Sequence, residues 1–309
     1  MLRLLNRTGV NEIEVTPSAV PEAPLLGLCE GLAARCSGER RQVGSEAVVM
    51  KGGPFSPSGA RRHGLRRLLL RAPGPCAAEF RNLAWLRKRL FRAAEPLAAV
   101  TVHHLGRPSR ELLLTREVPD AVPFDHALRE VPARRRAELL AELGREVGRM
   151  HALRFLHADL YPRNVLVAPP CERPGPGFGR SLVWIDAWAG GPTAWRRGNL
   201  RRLEDDLGAW YSLAADWMTP ADDGQLLTAY VRSRAANGRP VRSLDGLVAA
   251  IQRSRRRELA RLEREPRRLR GRPHPIAGWD PDVGRVRDLL ASGASSPGEN
   301  SVPGPDLVD

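Results

Sequence analysis

The stretch HADLYPRNVLV, from His157 to Val167, lies at the middle of the 309-residue chain and decides how the rest is read. Upstream, PARRRAELLAELGREVGRMHAL opens with Pro132 and repeats Leu139, Leu143, Val147 and Met150 at helical spacing, so it reads as a long amphipathic helix. Downstream, NVLV and SLVWID are short apolar runs joined by the Pro/Gly-rich APPCERPGPGFGR, the pattern of a hairpin with an elongated tip. His157, Asp159 and Asn164 therefore fall in a loop between a helix and a hairpin, and Asp186 ends the hairpin's second strand.

Those positions suit transfer of the γ-phosphoryl group of ATP, a reaction that needs positioning and charge neutralisation more than covalent participation. Asp159 would orient or deprotonate the acceptor hydroxyl, and His157 would brace the loop by hydrogen-bonding its backbone. Asn164 and Asp186, facing each other across the hairpin, would hold Mg²⁺ through oxygen. A cation for the phosphates is expected upstream, where AVVMKGG places Lys51, one of only two lysines, at the end of an apolar strand. A compact ammonium suits point-charge contact with phosphate. On the helix CAAEFRNLAWLRKRLF, Glu79 heads an apolar stripe with Leu83, Leu86 and Leu90. A carboxylate there is costly to bury unless it meets a cation, and Lys51 is the candidate. Each residue alone has a bland reading: a surface loop, a strand cap, a snorkelling lysine. The order in which they occur carries the argument.

Across the whole chain the pattern is α+β with two lobes. Residues 1–24 read as an N-terminal extension with little periodicity. Residues 25–118 read as a smaller lobe, a sheet built from EAVVMKG, LAAVTVHHL and RELLLTREV and carrying one helix; GLRRLLLR fits either strand or helix. Residues 119–280 read as a larger, mainly helical lobe, and 281–309 as a disordered Pro/Gly/Ser-rich tail. The four cysteines match neither a zinc spacing nor a disulfide framework, which points to a reducing cytoplasm. The N-terminus lacks the apolar core of a secretory signal, and no apolar run is long enough to span a membrane. A net charge of +14 asks for an anionic partner, although nearly all of it is arginine, as a coding bias would also produce.

The order lysine, helix glutamate, long helix, His-x-Asp-x4-Asn, strand, strand-Asp is that of the protein-kinase-like fold: a small antiparallel sheet with one helix, then a larger helical lobe. Within it, MKGGPFSPSGARRHGLRRLLLRAPGPCAAEFRNLAWL, HADLYPRNVLV, WIDAW and LEDDLGAWYSLA resemble the lipopolysaccharide core heptose kinase and Kdo kinase family over roughly residues 25–240. The resemblance implies Lys51 and Glu79 as the nucleotide-positioning pair, Asp159 as base, Asn164 and Asp186 as Mg²⁺ ligands, and Asp206 as the anchor of the loop. It implies ATP and Mg²⁺ as cofactors and a sugar hydroxyl of a glycolipid as acceptor. A cytoplasmic site follows, with peripheral contact at the anionic inner membrane and no specific nucleic acid. The segment RSRRRELARLEREPRRLRGR is the candidate basic patch, or else a solvated helix held by Glu–Arg pairs. Other readings of the same loop are a small-molecule kinase of the aminoglycoside or choline type, a protein Ser/Thr kinase, and a non-catalytic binding module. Ala158 stands where regulated protein kinases carry arginine, and Ala187-Trp188 replaces Phe-Gly after the metal-binding aspartate. No Gly-x-Gly-x-x-Gly loop precedes Lys51.

Overall fold

The computed structural model describes residues 2–6, 9–15, 29, 36–43, 46–70, 73–104, 107–170, 179–192, 203–269 and 278–292. The smaller lobe comprises β1 (Leu2–Asn6), β2 (Gly9–Val15), β3 (Cys36–Val43) and β4 (Glu46–Pro54), then α1 (Pro57–Leu70), α2 (Pro75–Lys88), β5 (Pro96–His104) and β6 (Arg107–Arg116). The strands form one antiparallel sheet in the order β1-β2-β5-β6-β4-β3.

The period-2 alternation of β4 and β6 gives this sheet two different faces. Val48 and Met50 pack with Leu97, Val100, Leu112 and Leu114 on one side. The intervening residues pair as Val49↔Thr115 and Lys51↔Leu113, and all four line the cleft between the lobes. Helix α2 covers part of that second face, its Cys76 and Phe80 packing on Ala99 and Leu113. The lysine and the glutamate-bearing helix are thereby brought to the same side of the sheet. Pro75 starts α2, and the Glu111 carboxylate accepts the Cys76 backbone N–H at 3.1 Å, supplying from β6 the negative charge that a helix N-terminus favours.

Three expectations need correction here. Residues 2–6 and 9–15, expected within an N-terminal extension of little periodicity, are strands of the sheet: β1 pairs with β2, and Ile13↔Val100 and Val15↔Ala98 join β2 to β5. The alternation in EIEV is a strand signal too short to stand out without its partner. The smaller lobe carries α1 beside α2, where one helix is expected, because residues 64–70 of GLRRLLLR form the second half of α1. Its leucines and arginines are good helix formers and none is β-branched. The region from 281 begins with an ordered helix, capped by Asp282, whose side chain accepts the Arg285 N–H at 2.9 Å; residues 293–309 lie outside the described ones.

Residues 117–121 lead into the larger lobe. It contains β7 (Val122–Pro123), α3 (Phe124–Glu130), α4 (Ala133–Ala152), β8 (Phe155–Leu156), β9 (Val165–Val167), β10 (Leu182–Trp184) and β11 (Gly191–Pro192). Among the described residues four α-helices follow: α5 (Glu204–Ala214), α6 (Pro220–Ala236), α7 (Leu244–Arg264) and α8 (Val283–Ala291). Strands β9 and β10 are the expected hairpin, paired Val165↔Trp184 to Val167↔Leu182. The apolar stripe of α4, with Leu139, Leu143, Val147 and Met150, enters a core with Trp184, Trp210 and Tyr230. Gly144 and Gly148, four residues apart, let α6 lie directly on α4; a Cβ at Gly144 would overlap the Leu226 carbonyl oxygen. Among the described residues, no helix is long and apolar enough to cross a membrane.

Candidate active site

The cleft between the lobes holds the lysine and the glutamate together. The Lys51 ammonium donates to the Glu79 carboxylate at 2.6 Å and also to Asp186, so one cation joins the sheet, α2 and the end of the hairpin. Burial pulls the ammonium down, but the two carboxylates outweigh it and hold Lys51 above its ordinary range. Burial and the neighbouring Asp186 push the Glu79 carboxyl up to about 7 against the pull of Lys51. At 4 % exposure the Glu79 carboxylate is shielded from bulk solvent and depends on the Lys51 cation beside it.

The loop is held at both ends. Asp206, in the first turn of α5, accepts the backbone N–H groups of His157 at 2.7 Å and Ala158 at 2.6 Å. These bonds hold Ala158 in the left-handed region at φ 65°. His151 lies against the same carboxylate at 3.2 Å and reaches the Tyr230 hydroxyl with its other ring nitrogen. His157 reaches out of its own loop, its Nε2 lying 3.0 Å from the carbonyl oxygen of Ile185, the residue before Asp186. The Asn164 amide donates to the Asp159 backbone carbonyl at 2.7 Å and to its carboxylate at 3.3 Å.

The cleft has a volume of about 200 Å³ and is lined by Lys51, Glu79, Asn164 and Asp186 among others; Asp159 sits beside it, behind Asn164. Because the Asn164 NH₂ group is committed to Asp159, its amide oxygen is the donor left for a metal beside the Asp186 carboxylate. Among the described residues no three His, Cys, Asp or Glu side chains gather as a metal site. One carboxylate and one amide still suit Mg²⁺, which keeps its waters and takes its remaining oxygens from phosphates.

Several contributors have no signal in the local sequence. Asn82 of α2 donates to the Ala187 carbonyl at 2.7 Å. Tyr161 donates to Glu258 on α7, 97 residues away. Arg163, its guanidinium 4.3 Å over the Tyr161 ring, lines the cleft, as do Glu117 and Val118 of the inter-lobe connection. The smaller lobe's contribution to the cleft also differs from a glycine-rich loop: Gly38 and Arg40 of β3 line the cleft, and Gly38 (φ 78°) lies at a bulge between Ser37 and Glu39.

A small antiparallel sheet, a larger helical lobe, and polar groups of both meeting in the cleft between them make this a protein-kinase-like fold. Residues 63–230 match the model of the lipopolysaccharide kinase (Kdo/WaaP) family, and the chain belongs to that family. The matched span takes in Glu79, Asp159, Asn164, Asp186 and Asp206 but starts downstream of Lys51. The chain is 31% identical over 126 residues to 3-deoxy-D-manno-octulosonic acid kinase of Vibrio cholerae serotype O1. That similarity covers 41% of this chain and half the length of the curated relative. Among solved structures it is similar to WaaP in complex with acyl carrier protein, at 19% identity and TM-score 0.49, covering 80% of this chain and 98% of that one. A glucosamine kinase is 16% identical with TM-score 0.42, covering 94% of this chain and 83% of that one.

Proposed function

We propose that this chain transfers the γ-phosphoryl group of ATP to a sugar hydroxyl of a lipopolysaccharide core acceptor. The observation that carries the reading is Lys51, held by Glu79 and Asp186 in a cleft that Asn164 also lines. In this reading Lys51 contacts the α- and β-phosphates, while Glu117 and Val118 stand at the cleft wall where the base would lie. Asn164 and Asp186 would hold Mg²⁺, which when bound neutralises charge on the phosphates and keeps them in line. Asp159 accepts the proton of the acceptor hydroxyl as the new phosphorus–oxygen bond forms and the bond to the β-phosphate breaks. His157 and Asp206 keep the loop in register with Asp186. The acceptor class rests on family membership and on the activity in the name of the Vibrio cholerae relative. An acceptor at the cytoplasmic face of the inner membrane would bring the basic surface of the protein to anionic lipid.

The test is transfer from γ-labelled ATP with Mg²⁺, offering envelope glycolipid, soluble metabolites and total protein as separate acceptors, with Asp159→Asn as control. Label in the glycolipid, absent with the variant, is the expected result. Label only in another fraction would move the acceptor and keep the chemistry. Protein that binds ATP yet labels nothing in any fraction would overturn the transferase reading.

A further inference from the structure

We infer that Asn82 is a positioning residue for Asp186, one that fixes the metal-binding turn from α2; this rests on the kinase reading above. The turn has Ala187 and Trp188 where the protein-kinase triplet has phenylalanine and glycine, so the side chain next to the aspartate is small and the position after it is not a flexible glycine. Asp186 itself is in the left-handed region (φ 59°, ψ 32°), which a non-glycine residue adopts only where its surroundings enforce it. Three consecutive backbone groups are held. The Ile185 carbonyl lies 3.0 Å from His157 Nε2, the Asp186 N–H donates to the Glu79 carboxylate, and the Ala187 carbonyl accepts from Asn82 at 2.7 Å.

Two of those three partners, Glu79 and Asn82, come from α2, three residues apart and therefore on one face. Both are buried, Asn82 at 6 % exposure. The far side of the turn is closed as well. A Cβ at Gly190 would overlap the Leu156 and His157 carbonyl oxygens, and one at Gly191 (φ 129°) would come within 2.9 Å of the Asn82 amide oxygen. The turn is thus pressed between the catalytic loop and Asn82, and α2 is tied to the larger lobe by the same bond that aims the metal ligand. The lysine–glutamate pair and the turn that carries Asp186 are thereby joined within the chain itself.

Asn82→Leu, which keeps the branch point and removes the donor at the cost of added bulk, is the first variant; Asn82→Asp, the same shape without the N–H, is the second in case leucine fails to fold. ADP binding is measured with Mg²⁺ titrated and again with EDTA. Amide hydrogen exchange is followed over residues 185–190. The expected result is a roughly tenfold higher Mg²⁺ requirement, the scale seen when a partner that orients a metal ligand is lost. Metal-free ADP binding stays within about twofold, and exchange rises across 185–190 while that of 165–167 stays as it was. Unchanged exchange in both variants would overturn the inference whether or not nucleotide binds. Equal losses with Mg²⁺ and with EDTA would also overturn it, since they would mark a general packing role. Wild-type protein that binds no ADP in either condition would instead count against the kinase reading itself, and the exchange data would still decide the role of Asn82.

Discussion

Asp159 and Asp186 are both carboxylates of the candidate site, yet they are expected to fail in different ways. Asp186 shares Lys51 with Glu79 and faces the cavity, whereas Asp159 sits behind Asn164. Asp159→Asn therefore leaves Mg²⁺·ATP affinity near the wild-type value and lowers transfer by about 100-fold or more, the scale of losing an acid–base group. Asp186→Asn weakens Mg²⁺·ATP binding itself. Calorimetry beside turnover separates the two, and a variant of Asp159 that loses nucleotide affinity in parallel would reassign it. The residues legible in the sequence share one property: each is a polar group set against an apolar pattern. Lys51 lies within a strand that runs on past its expected end to Pro54, Glu79 heads a buried stripe, and Asp186 follows the second strand of the hairpin. Asn82 could not be found that way, because it follows Arg81 on a mixed helix and only the position of Ala187, 105 residues on, gives it a partner.

At the scale of elements, α7 is more than a basic surface. Its sequence suggested either a patch for anions or a helix of Glu–Arg pairs, and the structure places arginines in both environments. Arg255 is buried and donates to the Tyr211 carbonyl at 2.8 Å, Arg257 meets Asp205 at 2.6 Å, and Arg261 meets Glu258 at 3.3 Å, while Arg253, Arg256 and Arg264 remain exposed. Counting arginines overstates the surface charge, since packing against α5 consumes part of it. Through Glu258 the helix also grips Tyr161, which lies between Asp159 and Asn164 and packs with Ala209, Leu213, Leu262 and Leu269. Burial and the adjacent Glu258 charge raise the Tyr161 hydroxyl well above its ordinary range, so it stays a donor. Tyr161→Phe removes a hydrogen bond to a charged group and should destabilise the protein by roughly 1.5–3 kcal/mol. Turnover should fall several-fold with Mg²⁺·ATP affinity unchanged. Denaturant melts and steady-state kinetics check both, and full turnover with the expected stability loss would confine the bond to a structural role.

For the whole molecule, the sequence anticipated a sheet followed by helices because the hydrophobic period changes from two to 3.6 near residue 120. It did not reveal β1 and β2, the latter pairing with β5 about ninety residues on, or the docking of α8, whose Leu289 carbonyl accepts from Arg232 at 2.6 Å. Such long-range partners are absent from any local window, and they also set how global stability depends on pH. Adjacent aspartates of α6 have opposite environments. Although burial pushes Asp222 up, the Arg136 guanidinium at 2.7 Å and the Thr219 cap outweigh it and hold the carboxyl below its ordinary range. Asp223 has no such cation: burial pushes it up to about 7, with Asp222 adding to the push and the Trp279 N–H at 3.2 Å and the Tyr211 hydroxyl opposing it only in part. A carboxyl that binds its proton more tightly when folded favours the native state at low pH, so its contribution declines as pH rises from about 4 through 7 and is then constant. Asp222 acts in the opposite sense, stabilising at neutral pH and losing that contribution as pH falls below the ordinary carboxylate range. Asp223→Asn keeps the shape and cannot ionise. It should exceed wild type by roughly 1.5 kcal/mol at pH 5 and by up to roughly 4 kcal/mol at pH 8, the full value of a shift of about three units. Urea melts of both proteins between pH 5 and 8 decide it: a gap that narrows toward the acid end carries the argument, whereas parallel curves would mean that Asp223 is ionised throughout and finds its counter-charge elsewhere.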